Sequence, residues 1–402
     1  MSPVRILYLA DIRFPLERAN GIQSMETCHA LARRGHEVHM IVRPDTTRPA
    51  RDPYVFYSLP RIDRLTIERA PVVGPSVARR MGYLAFALGR SIGAGRVDVV
   101  LTRDLSVAAA LLRAPGALRP PIVYESHGYA PDVASALPAL VSTATAPGAR
   151  KLRRLAEREG AVWRGADGYV TITRGLANEL ETRFGARAHL AIVPDGVRLQ
   201  PGTSGPAREI ARSSDRPLVV YAGHLYAWKG VDVLLEALVE VPEADGLIVG
   251  GHAQEPDLAR VRALADKLGI ASRVRFTGLV DPPDVRALLS QASVLVLPNP
   301  PSAISTRFTS PLKLFEYMAA RRPIVATDLP AMREVLTPDV HAIFVVPGSA
   351  PALSAGIRRV LSDPELAVRL SETAATAVLD YTWDRRAERL EALLGSVVGE
   401  RR

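Results

Sequence analysis

Three stretches of the chain hold side chains whose types and spacing could do chemistry. The first is Tyr221-Ala222-Gly223-His224-Leu225-Tyr226-Ala227-Trp228-Lys229-Gly230, which follows an apolar run and opens a helical pattern over Val231–Val239. Backbone N–H groups at a helix N-terminus attract phosphate, and Lys229 would add a full positive charge there. Gly223 and Gly230 would let a ligand approach the backbone closely. The same residues also fit a surface lysine beside two turn glycines. The second stretch is Thr309-Ser310-Pro311-Leu312-Lys313-Leu314-Phe315-Glu316-Tyr317-Met318. Pro311 suits a first helical position, Leu314, Phe315 and Met318 face a core, and Glu316 falls one turn in. A carboxylate there could accept two hydroxyl hydrogen bonds from a ribose, or it could be a solvated acid favoured by the helix dipole. The third is His127-Gly128, at the end of the apolar Ile122–Glu125 run. A histidine in that place is either a functional group or a capped polar side chain.

Several chemistries lack their motif. The chain has no G-x-G-x-x-G, no Walker A lysine loop, no metal-spaced Cys/His cluster and no D-x-D. Dinucleotide oxidoreductase, P-loop nucleotidase and zinc enzyme lose support. The missing D-x-D argues against a metal-bridged diphosphate, so neither a metal nor a cofactor is expected.

The elements that must carry these residues form a regular series. Short apolar runs alternate with longer helix-like segments from Arg5–Ala10 onward, the pattern of parallel βαβ units. Strands are expected at Glu37–Val42, Val97–Thr102, Ile122–Glu125, Tyr169–Thr173 and Leu190–Val193. Helices are expected at Gly21–Arg34, Lys151–Arg164 and Arg174–Phe184. The Pro-, Gly- and Arg-rich stretch 198–217 breaks the series and reads as a linker. A second series follows with strands at Leu218–Ala222, Gly246–Val249, Val274–Thr277, Val294–Leu297, Ile324–Thr327 and Ile343–Val346. The organisation is therefore a first α/β domain over 1–197, a linker over 198–217, a second α/β domain over 218–380, and an amphipathic tail helix in 381–402 that packs back on the first domain. Ligands of open parallel sheets bind beyond the carboxyl ends of the strands, so two such domains facing each other across a cleft would place the chemistry in that cleft.

Composition is that of an ordinary globular protein: 402 residues, 48% hydrophobic and 23% charged. A single cysteine, Cys28, permits no internal disulfide and fits a reducing compartment. The first apolar run is too short for a signal-peptide core and ends at Asp11, and no run of about 18 apolar residues could span a bilayer. The expected location is cytoplasmic. The formal net charge is +9. Residues 1–215 carry 30 Lys+Arg against 20 Asp+Glu, while the remainder is close to neutral. Arg43, Arg48, Arg51, Arg61, Arg64, Arg69, Arg79 and Arg80 fall in what read as loops or surface helices, which points to an anionic acceptor or an anionic membrane surface. The segment 76–96 is apolar with arginines at both ends; it reads either as a helix lying on a membrane or as a buried helix whose arginines reach solvent. Nucleic acid is not the expected partner: no basic helix with interleaved aromatics appears, and aromatics are only 5%.

In order and spacing the chain resembles glycosyltransferase family 4, of the GT-B fold, over nearly its whole length. The resemblance is carried by Asn20-Gly21-Ile22 leading into Leu31–Val38, Leu101-Thr102-Arg103-Asp104-Leu105, Glu125-Ser126-His127, Val193-Pro194-Asp195-Gly196-Val197, Gly223-His224 with Lys229-Gly230, Phe276-Thr277-Gly278, Ser310-Pro311-Leu312-Lys313 with Glu316-Tyr317-Met318, and Tyr381-Thr382-Trp383. It implies a hexosyltransferase that moves a sugar from a UDP- or GDP-linked donor to an acceptor hydroxyl, retaining anomeric configuration and using no metal. His127 and Lys229 then match the catalytic positions, His127 beside the transferred sugar. Gly21, His224, Lys229, Pro311, Leu312 and Lys313 match the donor-diphosphate site, Glu316 the ribose, and Thr277 and Gly278 the base region. The acceptor would be an anionic glycolipid, a polysaccharide precursor or a natural product.

Four positions depart from the family pattern: Asn20 stands for the first glycine of the usual Gly-Gly, Asp195 for the asparagine of the usual Asn-Gly, and two more lie among the expected donor contacts. His224 stands where arginine is usual, and Phe308 stands at the first acid of the E-x7-E motif, where it cannot accept a hydroxyl. The His224 and Phe308 departures keep a non-catalytic sugar-nucleotide-binding subunit in view; a sugar-nucleotide epimerase of the same fold is a second alternative, which Phe308 weakens because that reaction would call for a catalytic acid in the cleft.

Overall fold

The computed structural model describes residues 3–92, 97–140, 145–199, 216–252, 256–302, 305–306 and 312–400. The chain divides into two compact units. The first comprises 1–131, 147–196 and 383–402; the second comprises 132–146 and 197–382.

The first unit is built on seven parallel strands: β1 (Arg5–Arg13), β2 (Glu37–Arg43), β3 (Leu65–Arg69), β4 (Val99–Thr102), β5 (Ile122–Ser126), β6 (Gly168–Thr171) and β7 (Leu190–Ile192). Their order is β3-β2-β1-β4-β5-β6-β7. Six of these strands answer to apolar runs in the sequence. The strand β3 does not: Leu-Thr-Ile-Glu-Arg carries only two apolar residues, and only Leu65 is buried. It is an edge strand, so one side of it needs no apolar cover. The Ser76–Ile92 helix buries Tyr83, Ala87 and Ser91, and the Tyr83 hydroxyl donates to the Ile41 carbonyl at 2.8 Å. Packing on the sheet explains its apolar face, while Val77 and Met81 on the other side are exposed.

The C-terminal helix Trp383–Gly399 belongs to the first unit and packs on the Ala19–Arg33 helix and on β6 and β7. Its buried face runs Trp383, Arg386, Ala387, Leu390, Leu394 and Val397, the i, i+3, i+4 spacing of a core-facing stripe. An arginine inside that stripe must find its partners within the protein.

The second unit repeats the plan with six parallel strands: β8 (Leu218–Ala222), β9 (Asp245–Val249), β10 (Val274–Gly278), β11 (Val294–Leu297), β12 (Ile324–Thr327) and β13 (Ile343–Val345). Their order, β10-β9-β8-β11-β12-β13, is the doubly wound order of a Rossmann-like sheet. The central strands are buried on both faces, as helix-covered parallel strands must be. The strand order reverses between β8 and β11, and the loops leaving these two strands carry the candidate residues.

One expectation about charge needs correction. The arginines read as a cationic surface are partly neutralised at home. Arg43 pairs with Asp11 at 2.9 Å, Arg51 with Asp45 at 2.8 Å and Glu17 at 2.5 Å, Arg61 with Asp52, and Arg80 with Asp104 at 3.4 Å. Arg69 lies in β3 rather than in a loop, and it donates to the Arg51 carbonyl at 3.0 Å. Arg48, Arg64 and Arg79 have no carboxylate within 4 Å among the described residues.

Candidate functional site

In the second unit, the Leu312–Ala319 helix follows β11 and is fixed against β8 by two kinds of contact. Leu314, Phe315, Tyr317 and Met318 are buried beneath it. The Tyr317 hydroxyl accepts the backbone N–H of Ala222, the last residue of β8, at 2.7 Å. Lys313 lies one helical turn before Tyr317, on the same face. It therefore reaches back over the residue after Ala222, which is Gly223.

The fit at Gly223 is close. A Cβ built there would lie 1.4 Å from Lys313 Nζ and 1.9 Å from its Cε, and the backbone sits at φ +146°, a region that side chains disfavour. Any side chain at this position would require the ammonium to move. Gly230 meets a similar constraint. Its φ is +76°, and a Cβ there would lie 1.9 Å from the Pro298 carbonyl at the end of β11. Between these glycines, Ala227–Lys229 forms one tight turn that delivers Lys229 just before the Val231–Val239 helix.

Two lysines thus stand at the switch point of the sheet. Burial lowers the Lys229 pKa well below the ordinary lysine value, and the charge on Lys313 adds to the effect. Burial pushes Lys313 down to about 8, partly opposed by Glu316. Glu316 is raised by burial, against the pull of Lys313 and Arg286. Lysines held this way are short of anionic partners, and a multiply charged oxyanion would restore both to full charge.

The remaining predicted residues of this unit surround the lysines. His224 stacks on Tyr226 with ring centroids 5.1 Å apart, and Tyr226 stacks on Trp228 at 6.5 Å. Lys229 Nζ lies 3.6 Å from the centroid of the Trp228 ring. Leu312 begins the helix that carries Lys313. Thr277 and Gly278 end β10, where the Thr277 hydroxyl accepts the Gly250 N–H at 3.2 Å. Pro311 and Phe308 lie outside the described residues.

His127 and Gly21 belong to the first unit. Gly21 lies in the first turn of the Ala19–Arg33 helix; a Cβ there would meet the Leu16 carbonyl at 2.4 Å and the Tyr57 hydroxyl at 2.6 Å. Close packing alone accounts for glycine at that position. His127 follows β5, and its Nε2 lies 2.6 Å from Glu125 Oε1. Glu125 is fully buried and bonded to Arg386 and Gln23. Burial raises the Glu125 pKa, but Arg386, His127 and Arg103 outweigh it and hold the carboxyl well below the usual range. Burial and Arg103 lower the pKa of His127, opposed by Glu125 and Asp195.

Sequence reasoning did not single out Arg386 or Gln23, and it took Arg103 only as part of the Leu101–Leu105 segment. Arginine is too common in this chain to stand out by type. The available signal was positional: Arg386 interrupts an apolar stripe. Among the described residues, no three His, Cys, Asp or Glu side chains converge as metal ligands, and no helix is long and apolar enough to cross a membrane.

Comparison with known proteins agrees with this geometry. The family model described as Glycosyltransferase Family 4 matches residues 22–201, and that described as Glycosyl transferases group 1 matches residues 207–377. A D-inositol 3-phosphate glycosyltransferase of Xylanimonas cellulosilytica is 30% identical over 390 residues, covering 90% of this chain and 88% of that protein. A GDP-mannose-dependent α-(1-6)-phosphatidylinositol monomannoside mannosyltransferase of Mycolicibacterium smegmatis is 28% identical over 334 residues, covering 80% of each. Among solved structures, sucrose-phosphate synthase from Thermosynechococcus elongatus superposes with a TM-score of 0.77 at 19% identity, over 99% of this chain and 100% of that one. The chain belongs to the family 4 glycosyltransferases of GT-B fold, and it is an enzyme of the hexosyltransferase type.

Proposed function

We propose that the enzyme transfers a hexose from a nucleotide-diphospho-sugar to an acceptor hydroxyl, with retention of configuration and without a metal ion. The observation that carries this reading is the pair Lys229 and Lys313, set at the switch point of the second sheet with Lys313 lying against Gly223. As the bond from the sugar C1 to the diphosphate breaks, negative charge grows on the leaving group. Two ammonium groups and the amides opening the Val231–Val239 helix would stabilise that charge in the transition state. In this role they replace the divalent cation that a D-x-D motif would hold. Glu316 would bind the ribose hydroxyls, Thr277 and Gly278 would border the base, and His127 would act on the transferred sugar. The sugar becomes oxocarbenium-like, and retention follows from attack on the same face as the leaving group. The acceptor is proposed to be anionic; a relative named for inositol 3-phosphate and another named for a phosphatidylinositol mannoside support this.

The test is a panel of UDP- and GDP-hexoses, read by release of the nucleoside diphosphate with inositol phosphates and phosphatidylinositol glycosides as acceptors. One donor should be turned over with EDTA present, and NMR should find the product anomer matching the donor. Loss of turnover in EDTA with rescue by Mn²⁺ or Mg²⁺ would overturn the metal-free mechanism, and inversion would overturn retention.

A further inference from the structure

The C-terminal helix sends one charged side chain into the core of the first unit. Arg386 is 1% exposed, and each of its five N–H groups has an acceptor. Its Nε donates to Thr27 Oγ1 at 3.0 Å, its Nη1 to the carbonyls of Val193 and Pro194 at 2.7 and 2.9 Å, and its Nη2 to both oxygens of Glu125 at 2.6 Å. These acceptors come from the Ala19–Arg33 helix, from the chain after β7, and from β5. A buried ion pair contributes little net stability against an apolar replacement of the same shape. What so complete a set of bonds does supply is geometry.

The geometry converges on one imidazole. Glu125 Oε1 receives Arg386, the Gln23 amide and His127 Nε2. The Gln23 amide is oriented in turn, because its oxygen accepts from Arg103. A carboxylate can only accept, so the nitrogen facing it must carry a proton. That fixes the neutral His127 ring as the Nε2–H tautomer and leaves Nδ1 as its lone-pair acceptor. The His127 side chain is 23% exposed, whereas Glu125 and Arg386 are each at 1%. The ring has an accessible edge, and the groups that hold it do not.

We infer that Arg386 and Glu125 are positioning residues for His127, acting as a buried guanidinium–carboxylate–imidazole relay of orientation that holds the Nδ1 lone pair ready to accept a hydrogen bond from a hydroxyl of the bound sugar. No proton travels along the relay. Glu125 keeps its charge, and Arg386 keeps Glu125 from turning away.

The kinetic arm of this inference rests on the transferase reading; the spectroscopic arm does not. The first measurement is ¹⁵N NMR of full-length enzyme labelled at histidine, with the His127 signals identified by their loss in His127→Gln. A single Nε2–H tautomer is expected, and the Nδ1–H tautomer or rapid averaging between the two would overturn the inference without any reference to activity. The second uses Arg386→Lys, which keeps the charge but loses the fork, and the double variant Glu125→Gln with Arg386→Gln, which leaves no unpaired buried charge. In both, kcat should fall about tenfold or more with donor KM changed less than about twofold, and the double variant should show mixed tautomers. If the folded double variant keeps the single tautomer, or if donor KM carries the whole loss, the assignment is wrong and Arg386 only ties the tail helix down. If neither variant folds, the wild-type tautomer alone decides.

Discussion

The shortest approach around the two lysines turns on a single missing methyl group. The Lys313 ammonium occupies the space where a Gly223 Cβ would lie. Gly223→Ala should therefore displace Lys313 and act through it. Lys313→Ala alone is expected to lower turnover by roughly 10²–10³, the scale of losing one preorganised charge-stabilising donor. Gly223→Ala should lose a similar amount, and the double variant little more than either. Additive losses would mean that the glycine serves the ligand directly and not the lysine. The same lysine predicts a pH dependence. Burial pushes Lys313 down to about 8 despite Glu316. The terminal phosphate of a nucleoside diphosphate is already ionised above about pH 7. Affinity for the preferred nucleotide should thus fall about tenfold between pH 7 and 9.5, as the cation loses its proton, and Lys313→Arg should flatten the curve because arginine stays charged. Calorimetry across that range checks both; a flat wild-type profile would show that Lys313 is not the group meeting the phosphates.

At the scale of elements, most of the fold was written in the apolar runs. A parallel strand covered on both faces must be apolar along its length, and that is how β4, β5, β8, β11 and β12 announce themselves. The edge strand β3 was not legible, because half of it faces water and needs no such code. Lys229, Lys313 and Glu316 could be read as candidates because they follow strands and open helices. Arg386 could not be read by residue type; only its place in the Trp383–Val397 stripe gives it away. Glu159 illustrates the same limit. It lies in the Ala149–Gly165 helix with no exposed surface, accepts the Tyr169 hydroxyl at 2.7 Å and caps the Ala130 N–H at 3.2 Å. Burial pushes its pKa up to about 7 against these two bonds. An unfolded glutamate titrates near 4.3, so between about pH 4.3 and 7 the folded state binds the proton more tightly than the unfolded one. Stability contributed by this group must fall as pH rises through that window and level off above it. Glu159→Gln removes the titration. Its Tm should decline less than that of the wild type between pH 5 and pH 8, by a few degrees. Parallel melting curves with a constant offset would show that Glu159 does not titrate there.

Over the whole molecule, the uneven charge bears on the acceptor. Residues 1–215 hold 30 basic against 20 acidic side chains, while the rest is nearly neutral. The ion pairs of Arg43, Arg51, Arg61 and Arg80 show that a count of arginines overstates the field they project. A pair is nearly neutral a few ångströms away, so the arginines without a carboxylate neighbour must supply most of any long-range attraction. Arg48 and Arg64 are exposed and of this kind. At 0.15 M salt, charges separated by more than about 8 Å are largely screened, and at 0.5 M the range is shorter still. If the acceptor is anionic, its KM should rise several-fold between about 50 and 500 mM NaCl with the donor saturating, while kcat holds, because the field gathers the acceptor without touching the reacting bond. Arg48→Gln with Arg64→Gln should remove much of that salt dependence and raise KM at low salt toward the high-salt value. Arg61→Gln, which removes a charge already matched by Asp52, should change it less. A KM indifferent to salt, or equal effects from paired and unpaired arginines, would show that the excess of arginine in this half is not there to gather the acceptor.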